Sequence, residues 1–241
     1  MLNTNEKDDE MLDTLVALDP REHNRLRFKK SLDFTFTKNT HICPLMIDEA
    51  TEAATFFPIV FPSGGETVVP QMLLSLKPDS NPCVGEDGEW IGGYLPLHFR
   101  RFPFFLGREK GADIAAVLIE EKAPQFSSKG VLLYNKRGDN FVASPLLKEI
   151  KDSLVDMDVR YQKTKVICKL LQNAGVLSDS QIKLMVDGKE QVVKGFSVVN
   201  WDKVRKLDDE TLANWTRIGL IQLINAHLYS LKKHLDVKER T

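Results

Sequence analysis

The densest concentration of chemically capable side chains in this sequence is Gly88-Glu89-Trp90-Ile91-Gly92-Gly93-Tyr94-Leu95-Pro96-Leu97-His98-Phe99-Arg100-Arg101-Phe102-Pro103-Phe104-Phe105. It gathers a Trp, a Tyr, four Phe, a His and two adjacent Arg. Rigid aromatic rings recognise ligands at low entropic cost, and guanidinium forks hold carboxylate or phosphate in a bidentate way. These types nominate Trp90, Tyr94, His98, Arg100 and Arg101 as the lining of one concave site for an anionic or polyhydroxylated ligand. Gly92-Gly93 would let backbone approach that ligand closely. His98 is the group there that can act as a general acid or base. The plain alternative makes Phe99, Phe102, Phe104 and Phe105 core, with an arginine satisfying buried acceptors. Two adjacent arginines point in different directions in any regular structure, so at least one of them has a task besides packing.

The remaining candidates are weaker. His41-x-Cys43 places an imidazole and a soft donor on one side of a strand, and Asp48 is near enough in sequence to join them in a metal site. A single HxC with no second pair reads more simply as a core cysteine beside a rim histidine, so no metal site is assigned. His227 and His234 are seven apart on a helical pattern, too far for one metal, which takes ligands at i and i+4. His227 follows the apolar stripe of Leu220, Ile224, Leu228 and Leu231 and reads as a core histidine with hydrogen-bond partners. His234 lies with Lys232 and Lys233 at the helix end, where cations suit the dipole. Cys43, Cys83 and Cys168 form no CxxC and no disulfide framework. No P-loop, GxGxxG, HExxH or GxSxG pattern occurs, so no cofactor is implied.

The elements that must position these groups fall into two styles. Up to about residue 140 the pattern has mostly period two. Phe34-Thr35-Phe36-Thr37, His41 to Met46, Pro58 to Phe61, Thr67 to Leu76, Ile114 to Ile119 and Val131 to Tyr134 read as strands. Pro70 gives its strand an edge position or an irregular start. Asp48 to Ala54 reads as a short helix with acids in its first turn. After Ser144, an N-cap candidate followed by Pro145, the period becomes 3.6. A long helix carries Leu147, Ile150, Leu154, Met157, Tyr161, Val166, Leu170 and Leu171 and stops at Gly175. Ile182 to Val186 and Gln191 to Val193 flank Asp187-Gly188, a type I′ hairpin signal. Phe196 to Val199 follows as a third strand, then a turn or two of helix from Asp202, then a final helix capped by Asp208 and running to about Leu235. The expected fold class is therefore α+β: a strand-rich mixed body over about 30–140, and a part over about 144–235 with two long helices and a small β-hairpin. Residues 1–20 are expected to be a mobile tail and 21–241 one domain.

The chain has 241 residues, 42% hydrophobic and 28% charged, enough for a sizeable core and against wholesale disorder. Thirty-three Lys+Arg against 34 Asp+Glu argue against a nucleic-acid partner. The one basic cluster, Arg21 to Lys30, reads as a solvated face. No apolar run reaches the ~20 residues of a membrane span. The acidic start has neither the basic region nor the apolar stretch of a secretory signal, so the expected location is cytoplasmic unless export uses another route.

Taken in order, several blocks resemble the SapC family of bacterial proteins. They are Arg21-Glu22-His23-Asn24-Arg25-Leu26-Arg27, Pro58-Ile59-Val60-Phe61, Leu73-Leu74-Ser75-Leu76, Gly88-Glu89-Trp90, Gly93-Tyr94-Leu95-Pro96 and, most distinctive, Arg100-Arg101-Phe102-Pro103-Phe104. Gly195-Phe196-Ser197-Val198-Val199, Leu207 to Leu212 and Ala226-His227-Leu228-Tyr229-Ser230-Leu231 are similar to the C-terminal signature. Phe102 stands where a tyrosine is usual and Asn225 where an aromatic is usual. The resemblance implies a link to bacterial surface layers and to genes for nutrient uptake; a peptide-transporter permease of the same name is excluded by the lack of membrane spans. It implies no catalytic set. Three expectations follow: an accessory protein binding a small molecule or glycan, an enzyme of small-molecule or carbohydrate processing with His98 as acid/base, or a structural subunit of a surface layer, for which a homo-oligomer is expected.

Overall fold

Why the chain folds as it does is clearest at its best-signalled boundary. Ser144 caps a 29-residue helix, Pro145–Asn173, by accepting the Leu147 N–H on its hydroxyl at 3.2 Å, with Pro145 in the first turn. In the computed structural model, which describes residues 15–65, 68–107, 116–186 and 189–235, strands and helices are mixed as an α+β fold. The strands are β1 (Val16–Ala17), β2 (Arg27–Phe28), β3 (Ile42–Pro44), β4 (Ile59–Pro62), β5 (Gln71–Leu73), β6 (Phe104–Gly107), β7 (Ala116–Ile119), β8 (Val131–Leu132), β9 (Tyr134–Arg137), β10 (Asn140–Ala143), β11 (Leu177–Val186) and β12 (Lys189–Val199). The helices are α1 (Pro20–His23), α2 (Ala50–Ala53), α3 (Leu97–Arg100), α4 (Pro145–Asn173), α5 (Trp201–Val204), α6 (Asp209–Arg217) and α7 (Leu220–Leu235).

The chain divides into two compact units that do not follow its sequence halves: Phe34–His98 with Arg160–Thr241, and Thr4–Asp33 with Phe99–Val159. The first unit is built on an antiparallel sheet in the order β11-β12-β4-β5-β3. Its central strand β4 is buried on both faces, with Ile59, Val60 and Phe61 at most 1% exposed. β5 begins directly after Pro70, since proline cannot supply a ladder N–H. Helix α7 packs on α2, β4 and β12. Its inward stripe is Leu220, Leu223, Ile224, His227 and Ser230, all nearly inaccessible, with Leu228 and Leu231 half-buried.

The second unit contains a sheet in the order β1-β7-β6, the hairpin β9-β10 and the pair β2-β8. Phe104, Ile119, Leu133, Tyr134, Leu147 and Leu154 form its core, with Phe28, Phe104 and Phe126 in edge-to-face contact. Gly130 faces the β2 backbone so closely that a Cβ there would lie 2.5 Å from the Phe28 carbonyl carbon. Gly130→Ala should therefore prise β8 from β2 and cost about 1–3 kcal/mol, read as a lowered urea midpoint. An unchanged midpoint would contradict the close approach. The five cations of the basic cluster, Arg21, Arg25, Arg27, Lys29 and Lys30, are all exposed, whereas His23 is buried.

Several expectations are corrected. Phe34 to Thr37 is a 3-10 turn (Thr35–Thr37), not a strand: the Thr37 hydroxyl donates to the Phe34 carbonyl and Asn81 donates to Thr37, so local side-chain bonds replace a ladder. Val166 is 71% exposed because the buried stripe of α4 passes through Thr164 instead. There the hydroxyl donates to the Arg160 carbonyl and accepts the Ile47 N–H. Phe196 to Val199 is no separate strand but the end of β12, paired with β11 along its length with a register shift between Ser180 and Ile182. The final helix is two, because Gly219 at φ +83° turns the chain between α6 and α7; Asp208 caps the former through the Thr211 N–H. β1 pairs with β7 from Val16, within the segment expected as tail; residues 1–14 lie outside those described, as do the Asp187-Gly188 turn and the His234 side chain.

Candidate functional site

The aromatic block is organised by a loop and by one carboxylate. The loop doubles back on itself: Ile91 N–H donates to the Cys83 carbonyl at 2.8 Å, Gly85 N–H to the Glu89 carbonyl at 2.9 Å, and Val84 bridges Trp90. Gly88 makes the turn at φ +83°. Trp90 is half-buried, packs edge-on against Phe34, and donates its indole N–H to the Tyr94 carbonyl at 2.9 Å. The two glycines admit the protein's own side chains. A Cβ on Gly92 would lie 2.7 Å from the Cys83 Cβ, and one on Gly93 would lie 2.3 Å from the Phe56 ring. Phe56 lies against Gly93 and is still 45% exposed; Ile91 is 61% exposed.

The carboxylate is Glu49, buried at the start of α2 with 4% of its surface exposed. Its Oε1 accepts the Tyr94 hydroxyl at 2.7 Å and the Leu97 N–H at 2.9 Å; its Oε2 accepts the Met46 N–H at 3.0 Å. Burial pushes the Glu49 carboxyl above the usual carboxylate range, opposed by the bonds from Leu97, Tyr94 and Met46. Glu49 thus ties the loop end, the start of α3 and the turn before α2 to one buried group. Sequence reasoning placed Glu49 on a solvated first helical turn and missed this role. No local pattern marks it, since its main partners are more than forty residues away.

The nominated residues divide between the two units. Trp90, Tyr94 and His98 belong to the first, where Trp90 and Tyr94 are joined directly. Tyr94 is 5% exposed and His98 is half-buried on α3. Arg100 and Arg101 belong to the second unit. Arg100 is exposed; Arg101 is half-buried, with its guanidinium over the Phe105 ring at 4.8 Å. The second unit also bears an open cleft of about 570 Å³ lined by residues including Arg27, Asn135, Ser144 and Glu149. None of the five nominated residues lines it.

Other candidate chemistry is engaged elsewhere. Cys43 is fully buried, and Asp48 pairs with Arg160 at 2.5 Å. Burial pushes the Cys83 thiol up to about 11 and that of Cys168 to about 12, so neither is a thiolate at neutral pH. Among the described residues, no helix is long and apolar enough to cross a membrane. The family model described as SapC matches residues 18–236. No curated protein and no solved structure matches the chain.

Proposed function

From the premise that the chain belongs to the SapC family, we propose an accessory protein of bacterial surface or nutrient-uptake systems that binds an anionic or polyhydroxylated ligand through its aromatic block. The observation that carries this reading is a loop held by its own hydrogen bonds and by Glu49 that nevertheless presents Phe56 and Ile91 to solvent. Large apolar groups on a rigid, exposed loop lower the entropy lost on binding, and aromatic faces suit the apolar faces of sugars. Trp90 and His98 supply ligand contacts in the first unit, with Tyr94 anchoring the loop. Arg100 and Arg101, in the second unit, supply cationic forks for an anionic group and are tested as a separate arm.

Calorimetric titration with oligogalacturonate, and with neutral cello-oligosaccharide as the uncharged comparison, tests the proposal. Arg100→Ala or Arg101→Ala should weaken binding of the anionic probe by about 10- to 150-fold, the loss of one charge-assisted hydrogen bond. Trp90→Ala should weaken both probes. Circular dichroism first establishes that each variant is folded. Parent-like binding by all three variants, or no binding of either probe by the parent, would overturn the reading. Unfolding of both arginine variants would make those residues structural.

A further inference from the structure

Among the described residues, no group of three or more His, Cys, Asp or Glu could hold a metal ion. A cation site must therefore draw on hydroxyl oxygens. Three side-chain oxygens do converge where β4 ends, in the first unit and outside the aromatic block. Ser63 Oγ lies 2.7 Å from Asp179 Oδ1 and 3.0 Å from Ser197 Oγ, and Ser197 Oγ lies 2.9 Å from the same Asp179 Oδ1. Asp179 on β11 and Ser197 on β12 are register partners, which places their side chains on one face of the sheet. Ser197 belongs to the Gly195-Phe196-Ser197 block, to which neither the fold nor the ligand proposal assigns a task.

The trio is short of a proton. Its three oxygen–oxygen contacts would need three hydrogens, whereas two serine hydroxyls and an ionised carboxylate carry two. The two serine bonds hold the Asp179 carboxyl below the usual carboxylate range, so it is charged at neutral pH. However the hydroxyls rotate, one contact sets lone pair against lone pair. A cation above the triangle removes that repulsion. The dimensions also fit: oxygens at right angles around magnesium, at 2.0–2.1 Å, stand about 2.8–3.0 Å apart. Access is open, since Asp179, Gly64 and Gly65 are exposed and nothing lies within 4 Å of a Cβ built on either glycine. Ser197, 5% exposed, supplies the fixed corner.

We infer that Ser63, Asp179 and Ser197 form one face of a binding site for a hard divalent cation of the magnesium class. Water completes the coordination, as magnesium retains several waters. With one charge and two neutral donors, the affinity belongs to the weak range of about 10⁻⁴–10⁻³ M.

The test uses Mn²⁺ as a spectroscopic stand-in, titrated into the full chain and followed by electron paramagnetic resonance, with Mg²⁺ as competitor. The parent should bind one more Mn²⁺ than Asp179→Asn, displaceable by Mg²⁺. Ser63→Ala, which leaves the charge in place, should weaken that same ion several-fold. Ser63→Ala keeps the test decisive should Asp179→Asn fail to fold. Equal stoichiometry and affinity in the parent and every folded variant would overturn the site and leave an ordinary hydrogen-bonded trio.

Discussion

His227→Ala should destabilise the chain by about 3–5 kcal/mol, the cost of two stranded backbone groups and a cavity. The ladder between β4 and β12 pairs Pro62 with Phe196 and Phe61 with Ser197, then stops. Continued in the same register, it would set Ile59 opposite Val199. The His227 ring occupies that place instead. Its Nε2 accepts the Val199 N–H at 3.0 Å, and its Nδ1–H donates to the Ile59 carbonyl at 2.7 Å. One imidazole therefore replaces a rung of the sheet, in the neutral tautomer with hydrogen on Nδ1. Ser230, one turn on, accepts the Ile59 N–H at 2.9 Å, so α7 serves both polar groups of that residue. Alanine removes donor and acceptor together at a site with no water access. Chemical denaturation measures the loss, and a change below about 1 kcal/mol would contradict the bridging role.

The same geometry dictates a pH dependence. Burial is the main cause that holds the His227 imidazole down at about 4, against 6.5 when unfolded, partly offset by the bond to Ile59. The unfolded chain takes up this proton as pH falls below 6.5 while the folded chain resists it. Stability from His227 is therefore full above pH 6.5 and is lost as pH falls towards 4, by about 3 kcal/mol in all. His227→Gln, which does not titrate, should flatten the curve of urea midpoint against pH across that window. An equally steep curve would assign the dependence to other groups.

Local patterns were legible and distant side-chain bonds were not. The cap at Ser144, the buried run of β4 and the stripe of α7 depend on neighbours in sequence, and composition and period reveal them. Phe34 to Thr37 alternates as a strand does, but Asn81, 44 residues away from Thr37, makes the bonds that curl it into a turn. Val166 fits a helical stripe by hydropathy. Thr164 displaces it because a hydroxyl that bonds its own helix and also Ile47 can be buried without loss. The break at Gly219 was legible in the residue itself, though apolar periodicity runs straight through it. In the candidate site, residue types flagged the right block for aromatics and arginines but could not reveal Glu49, which sets the position of Trp90 and Tyr94. An acid after Asp48 in a helical first turn looks solvated until Tyr94 covers it. Likewise, Ser63, Asp179 and Ser197 are unremarkable until three strand positions meet.

Glu49→Ala should be as damaging as loss of His227, about 3–5 kcal/mol or roughly 10 °C in melting temperature, and its effect should reach the aromatic loop. Alanine leaves the Tyr94 hydroxyl and the Leu97 and Met46 N–H groups without their acceptor. Because Trp90 is bonded to the Tyr94 carbonyl, its indole N–H resonance should shift while those of Trp201 and Trp215 hold. A stable variant with an unmoved Trp90 signal would refute Glu49 as the anchor. Glu49→Gln separates charge from shape. Its amide oxygen can still serve Tyr94 and Leu97, while its NH₂ group faces the Met46 N–H, so the cost is smaller and confined to one bond. The Glu49 carboxyl is raised in the fold chiefly by burial, so the folded chain binds that proton more readily than the unfolded one. Its contribution is full below the unfolded value of 4.5 and declines as pH rises through the folded value, the opposite sense to His227. Glutamine carries no such proton, so the cost of Glu49→Gln should shrink as pH rises from 4.5 towards neutrality, where the parent holds a desolvated charge that the amide does not.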